Sequence, residues 1–197
     1  MPTTKLVLAA TLGGVAMFVW GAISHMVIPL YDGALQKFAS EDAVRQAIVA
    51  NAATSGTYFL PNFPSLPPEA SAEEKRAARE AAEAHMESGP HVFAFIRVGP
   101  FGSFVAHLFG ELLADIAAVL LMSWLFLKLG IASMRNRMTA VVALGFTIIL
   151  SETMSQWIWY SAGFAFTLAE TIDQVVGWLA AGFVIAKVLP GSGQKPT

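Results

Sequence analysis

Four stretches of this 197-residue chain, at 6–28, 104–129, 138–160 and 164–189, are almost uninterrupted in their apolar character. Each reaches the length of about 20 residues that a helix needs to cross a hydrocarbon core about 30 Å thick. No other feature constrains the fold as tightly. In hydrocarbon every backbone N–H and C=O must be satisfied within the protein, and a single segment achieves that only as a helix. Composition agrees: 55% of residues are hydrophobic and 13% charged, against about a quarter charged in soluble domains. The expected fold is therefore an all-α membrane protein, a four-transmembrane-helix bundle with a small α/β periplasmic cap made by the loop between helices one and two.

The first span resembles a secretory signal, with Lys5 ahead of it and the small-x-small site Ala22-Ile23-Ser24. Its apolar run exceeds the usual signal core of roughly 7–15 residues, so we read it as a permanent helix. An N-terminus in the cytoplasm places Lys5, Lys128, Arg135, Arg137, Lys187 and Lys195 on that side with no acidic residue. The short connection "LGIASMRNRM" is the clearest marker, because short loops follow the positive-inside rule best. The chain then divides into transmembrane helix one (1–28), a periplasmic loop and cap (29–103), transmembrane helices two to four (104–189) and a flexible cytoplasmic tail (190–197). The expected location is a bacterial inner membrane with both termini cytoplasmic. A net charge of −2 offers no footprint for nucleic acid, and the absence of cysteine removes disulfides and thiolate sites.

The long loop carries its own punctuation. "SEDAVRQAIVANAATSG" reads as a short amphipathic helix capped by Ser40 and stopped near Gly56. "SAEEKRAAREAAEAHMESGP" reads as a solvated helix: Ser71 and Glu74 fit a capping box, Gly89 a C-terminal cap, and Arg76–Glu80 and Arg79–Glu83 are spaced to pair. "HVFAFIRVG" is rich in aromatic and β-branched residues and is expected to pair as a strand with Thr57–Leu60. His85 and His91 read as ordinary loop histidines.

The spans contain residues that hydrocarbon disfavours. On helix two His107, Glu111 and Asp115 follow Ser103 at steps of four, one face of a helix. Helix one offers Ser24 and His25; helix three offers Glu152, Ser155, Gln156 and Trp159; helix four offers Thr167, Glu170, Thr171 and Gln174, with Asp173 beside them. At about 1.5 Å per residue, the ionisable members fall roughly 5–16 Å below the outer ends of their spans. The inner half holds only Thr11, Ser123, Thr139 and Thr147 before Lys128 and Lys187 at its edge. A conducting path needs polar stations at every depth, so a channel or pump is disfavoured. A cluster open to the periplasm fits better.

Several carboxylates in one low-dielectric layer must be protonated, bind a cation or meet a basic residue. Arg97, which leads into helix two, is the nearest basic candidate. A cation shell would draw on His25, His107, Glu111, Glu152 and Glu170, and suits divalent Zn, Mn or Fe. Haem held by His25 and His107 is the weaker cofactor reading, and the Glu-x-x-His motif of di-metal bundles is absent from the spans. Around the shell, Ser24, Asp115, Ser155, Gln156, Thr167, Asp173, Gln174 and Arg97 form the expected polar network. Trp157, Trp159 and Tyr160 suit an interfacial aromatic belt. Gly13, Gly14 and Gly21 on helix one, Gly110, Ala114 and Ala118 on helix two, and Gly177, Ala181 and Gly182 on helix four read as close-packing positions.

The stretch "LGGVAMFVWGAISHMVIPL", with the following "EDAV" and "GTYFLP", resembles a group of small bacterial four-helix membrane proteins. That resemblance implies the topology and no activity. Function is therefore read from the residues. The first expectation is a non-catalytic accessory, assembly or scaffold protein that contacts lipid and other membrane subunits or its own copies, with room for one cation in its polar cluster. The alternatives are a small metal- or haem-dependent membrane enzyme working from the periplasmic side and a receptor for a cationic or lipid-like ligand.

Overall fold

The structure is a computed structural model and describes residues 2–63 and 65–191. The expected flexibility of the tail falls largely on 192–197, outside the described residues. The chain forms two compact units, 1–36 with 103–197, and 37–102.

The first unit is helical: α1 (Pro2–Met26), α4 (Phe104–Lys128), α5 (Met134–Ile148), a π-helical turn (Ile149–Thr153), α6 (Met154–Tyr160) and α7 (Phe164–Val188). Four helices, Thr3–Met26, Phe104–Lys128, Met134–Tyr160 and Phe164–Val188, are long and apolar enough to cross a membrane. Local chemistry sets their ends. Ser103 and Ser133 cap α4 and α5 by accepting from Ala106 N and Asn136 N. At the far end of α4, Gly130 takes the left-handed conformation at φ +66°. Its N–H then reaches Leu127 O while the Ile131 N–H reaches Phe126 O, the double bond that closes a helix C-terminus.

These helices do not close evenly around one axis, as a regular bundle would require. α1 packs along both α4 and α7, α5 leans on α7, and α4 meets α7 only briefly; α4 and α5 have no substantial contact. Glycine sets the close approaches. A Cβ on Gly14 would lie 2.6 Å from Ile116 Cα, and one on Gly13 2.7 Å from Val119 Cγ1. One on Gly182 would lie 2.9 Å from both Val141 methyls. Gly21 and Gly110, grouped with them by spacing, have nothing within 4 Å of such a Cβ. Small residues thus do two jobs here: some bring helices together and others leave a void.

The core lies toward the start of α1 and the end of α7, where Ala9, Val119, Phe126, Val141, Ala181 and Ile185 are buried together. Arg137 is buried among them at 1% exposure. Its Nε donates to Ile131 O (2.7 Å), Nη1 to Leu189 O (3.1 Å) and Nη2 to Pro190 O (2.7 Å). The guanidinium therefore closes the carbonyl end of α7 and the α4–α5 turn at once. The sequence reading places Arg137 among the cytoplasmic-side basic residues, in the short connection "LGIASMRNRM". The fold pulls it inward because unpaired carbonyls need donors there.

The second unit contains α2 (Glu41–Asn51), β1 (Gly56–Leu60), α3 (Ala72–Ser88) and β2 (Val92–Ile96). Its local signals read correctly. Ser40 caps α2 through Ala43 N, although the helix stops at Ala52 rather than near Gly56. Ser71 and Glu74 form the capping box on α3, and Gly89 caps its end. Arg79 Nε lies 2.9 Å from Glu83 Oε1, and Arg76 Nε 3.6 Å from Glu80 Oε1. β1 and β2 pair antiparallel, with Thr57 opposite Phe95 and Phe59 opposite Phe93. Residues 29–36, expected in the loop, belong to the helical unit instead.

Candidate functional site

A cleft of about 860 Å³ opens between α1, α4 and α7, with Ile148 of α5 also on its wall. Its existence follows from the glycine pattern. Past Gly14 the helices are no longer held in backbone contact, and Gly21, Ala22, Ala114, Ala118 and Gly177 line the space they leave. Trp20 and Trp178 contribute aromatic surface. Trp20 also ties two walls together, its Nε1 donating to the Asp173 carbonyl at 3.1 Å.

The polar part of the lining is acidic. Glu111, Asp115 and Asp173 reach the cleft with His25 and Gln174, and among the described residues no Lys or Arg does. Asp115 lies within Coulombic reach of both Glu111 and Asp173. Asp173 Oδ1 is buried and, among the described residues, has no hydrogen-bond partner. A buried carboxylate oxygen without a donor is a costly arrangement, worth about 1–3 kcal/mol or more if charged. Its environment is incomplete without a donor or a cation.

At the end of the site, the segment after α1 folds back. Tyr31 donates its phenolic proton to Glu170 Oε1 at 2.8 Å. Its ring lies 4.4 Å from that of His25 and 6.2 Å from that of Phe166. Burial, the bond to Glu170 and the negative charge of Glu170 and Asp173 all hold the phenol protonated, well above its ordinary range. The contact links the end of α1 to α7. Sequence reasoning missed Tyr31, and no spacing rule would have found it, because a loop side chain reaches its partner only through the tertiary fold.

His25 is oriented within its own turn, with Nδ1 3.0 Å from Ser24 Oγ and 3.1 Å from Gly21 O. Ser24 itself is buried and donates to Gly21 O at 3.1 Å. His107 Nδ1 lies 2.7 Å from Ser103 O. A carbonyl only accepts, so that nitrogen carries the proton. His107 is outside the cleft lining.

The expected cation shell of His25, His107, Glu111, Glu152 and Glu170 does not assemble: among the described residues no three His, Asp or Glu side chains come close enough to hold a metal. Helix three accounts for part of the difference. Its uniform 3.6-residue spacing is interrupted by the π turn at Ile149–Thr153, which adds a residue and turns the following face by about 100°. Glu152 is exposed, takes a bond from its neighbour Gln156 Nε2 at 3.2 Å, and is not on the cleft wall. Convergence of ionisable groups from all four helices therefore fails at helix three. Ser155 is likewise used locally, donating to Ser151 O as Ser151 does to Thr147 O. On α7 Thr167 and Thr171 bond back to Gly163 O and Thr167 O. Such hydroxyls satisfy themselves on the preceding turn and need no partner helix.

Arg97, expected as the counter-charge, belongs to the second unit. There its Nη1 donates to Phe101 O at 2.6 Å and its guanidinium lies 5.7 Å from the Phe101 ring centroid.

Comparison with family models, with curated proteins and with solved structures finds no match. The site is accordingly interpreted from its own geometry.

Proposed function

We propose that this chain is a multi-pass inner-membrane protein that binds a cationic, lipid-like ligand in the α1–α4–α7 cleft. The observation that carries this reading is the lining itself: three carboxylates and apolar or aromatic walls, with no Lys or Arg among the described residues there. A cationic head would supply what Asp115 and Asp173 lack, and its tail would lie along Trp20, Trp178 and neighbouring apolar surface. Aromatic faces add to the attraction for a cation. The positive-inside distribution of Lys5, Lys128, Arg135 and Lys187 supports a cytoplasmic N-terminus, with 37–102 on the periplasmic side and the cleft on that half of the membrane.

The test uses purified protein in nanodiscs, titrated with dodecyltrimethylammonium and with the neutral amphiphile dodecyl maltoside. Preferential binding of the ammonium compound, lost in Asp173→Asn and Asp115→Asn and kept in Glu152→Gln, is the expected result. Equal binding of both amphiphiles, or indifference to the two Asn variants, overturns it.

A second reading is favoured by Glu111, which is exposed on α4 although it borders the cleft. An exposed carboxylate within a span is expensive in lipid. A basic side chain from a neighbouring membrane subunit would meet it, which is the accessory or assembly role. Crosslinking from Glu111→Cys in native membranes distinguishes the two, since only the second gives a protein adduct.

A further inference from the structure

We infer that the aromatic face of the β1–β2 ribbon is a membrane-docking surface that lies in the headgroup–acyl boundary of the outer leaflet. The inference rests on the four-span reading above, and the experiment below separates the two.

Register places Thr57, Phe59, Phe93 and Phe95 on one face of the ribbon. The Phe59 and Phe93 rings lie 6.5 Å apart and those of Phe93 and Phe95 5.3 Å apart, both edge-on. Phe95 is nevertheless 81% exposed. Among the described residues neither α2 nor α3 packs substantially against either strand. A lone two-stranded ribbon is marginal in water and needs something against its apolar face.

Charge narrows what that something is. The stretches 52–68 and 88–103, which hold the two strands, contain one charged residue, Arg97. Every carboxylate of the second unit lies elsewhere, mostly on α2 and α3. A surface of phosphate headgroups excludes acidic groups, and an arginine beside aromatic side chains is the composition of a membrane interface. The core of a protein interface is also poor in acidic groups, and it is the short tether to a span that selects the membrane. The Arg97 guanidinium lies over the Phe101 ring, a cation beside an aromatic face.

Chain continuity adds the third element. β2 ends at Ile96 and α4 begins at Phe104, eight residues on. The ribbon is thus tethered within about 30 Å of the start of a span. That tether carries further exposed apolar groups, Val98 and Phe101, which run directly into Phe104 and Val105 on the exposed surface of α4. Apolar residues therefore continue along the chain from the span to the ribbon.

Because the chain contains no cysteine, single-cysteine spin labels are unambiguous. Full-length protein in liposomes would be labelled as Phe95→Cys, as Glu80→Cys on the solvated α3, and as Leu121→Cys on α4, a position 64% exposed. Collisions with oxygen report lipid and collisions with a nickel chelate report water. The ratio at position 95 should exceed that at 80 by several-fold and approach that at 121. A water-like ratio at 95 with a lipid-like ratio at 121 overturns the docking alone. Protection at 95 from both reagents also overturns it, in favour of a second copy or another protein as the cover. A water-like ratio at 121 instead overturns the four-span reading.

Discussion

The two ends of the helical unit handle buried polarity in opposite ways. Near the start of α1 and the end of α7, a full positive charge is buried at Arg137, yet each of its three nitrogens donates to a carbonyl. Glycines press the helices together there until a single methyl group would collide with backbone. Near the end of α1 and the start of α7, the helices separate around a cleft, and Asp173 Oδ1 is buried without a donor. The first end leaves one neutral hydroxyl, Ser123 Oγ, buried without a partner among the described residues; the second leaves a carboxylate oxygen so, beside a cleft. The charge of the unpartnered group and the open cleft beside it are what place the proposed ligand at the second end.

Four predictions would break or sharpen the comparison. The largest effect belongs to Gly14→Leu. Its Cβ alone would sit 2.6 Å from the Ile116 backbone, so α1 and α4 must part. We expect a loss of more than about 3 kcal/mol or failure to assemble, scored by thermal unfolding in detergent. Gly21→Ala, at the open end, meets nothing within 4 Å and should be neutral. If the two variants behave alike, the contrast between sealed and open ends is wrong.

Arg137→Leu comes second. It removes donors from Ile131 O, Leu189 O and Pro190 O, and we expect a loss of about 2–4 kcal/mol in the same assay. Arg137→Lys should recover only part of it, since a point ammonium cannot span three carbonyls.

Tyr31→Phe should have a smaller effect, about 1 kcal/mol, because the phenol is the donor to Glu170. Its more informative readout is amide exchange at the first turns of α7, which should accelerate. Unchanged exchange would show that the Tyr31 contact does not join α1 to α7 energetically.

The smallest effect concerns α3. Donation by the Ser71 backbone N–H, and then by its hydroxyl, holds the Glu74 carboxyl below its ordinary value of 4.5. A depressed folded value means the contribution is complete above pH 4.5 and fades as pH falls through that lower value. Amide protection in the first turn of α3 should decline over that acidic window. In Glu74→Gln the acid-dependent part of the decline should vanish.

The second unit shows how much local signals can carry. Ser40, Ser71, Glu74 and Gly89 end their helices where sequence chemistry places them, and the two strands pair as their composition suggests. Each of these decisions is made within a few residues, by a side chain reaching the backbone of its own turn. The same logic failed on helix three. Glu152, Ser155 and Gln156 were projected onto a straight 3.6-residue helix, and the π turn altered the face they share. It also failed for Arg137, whose spacing cannot reveal that two carbonyls from a helix fifty residues away would need it.

Sequence by itself determined that four segments are long and apolar enough to span a membrane, that α4 carries an acidic face, and that α3 and the ribbon form in the intervening stretch. These follow from periodicity, propensity and capping, which act along the chain. Only the tertiary structure decided which glycines are contacts and which are gaps, that Tyr31 closes on Glu170, and that Glu111, Asp115 and Asp173 share a cleft without Glu152. Those outcomes depend on how closely whole helices approach, and a difference of one methyl group at Gly14 or Gly182 is enough to change that distance.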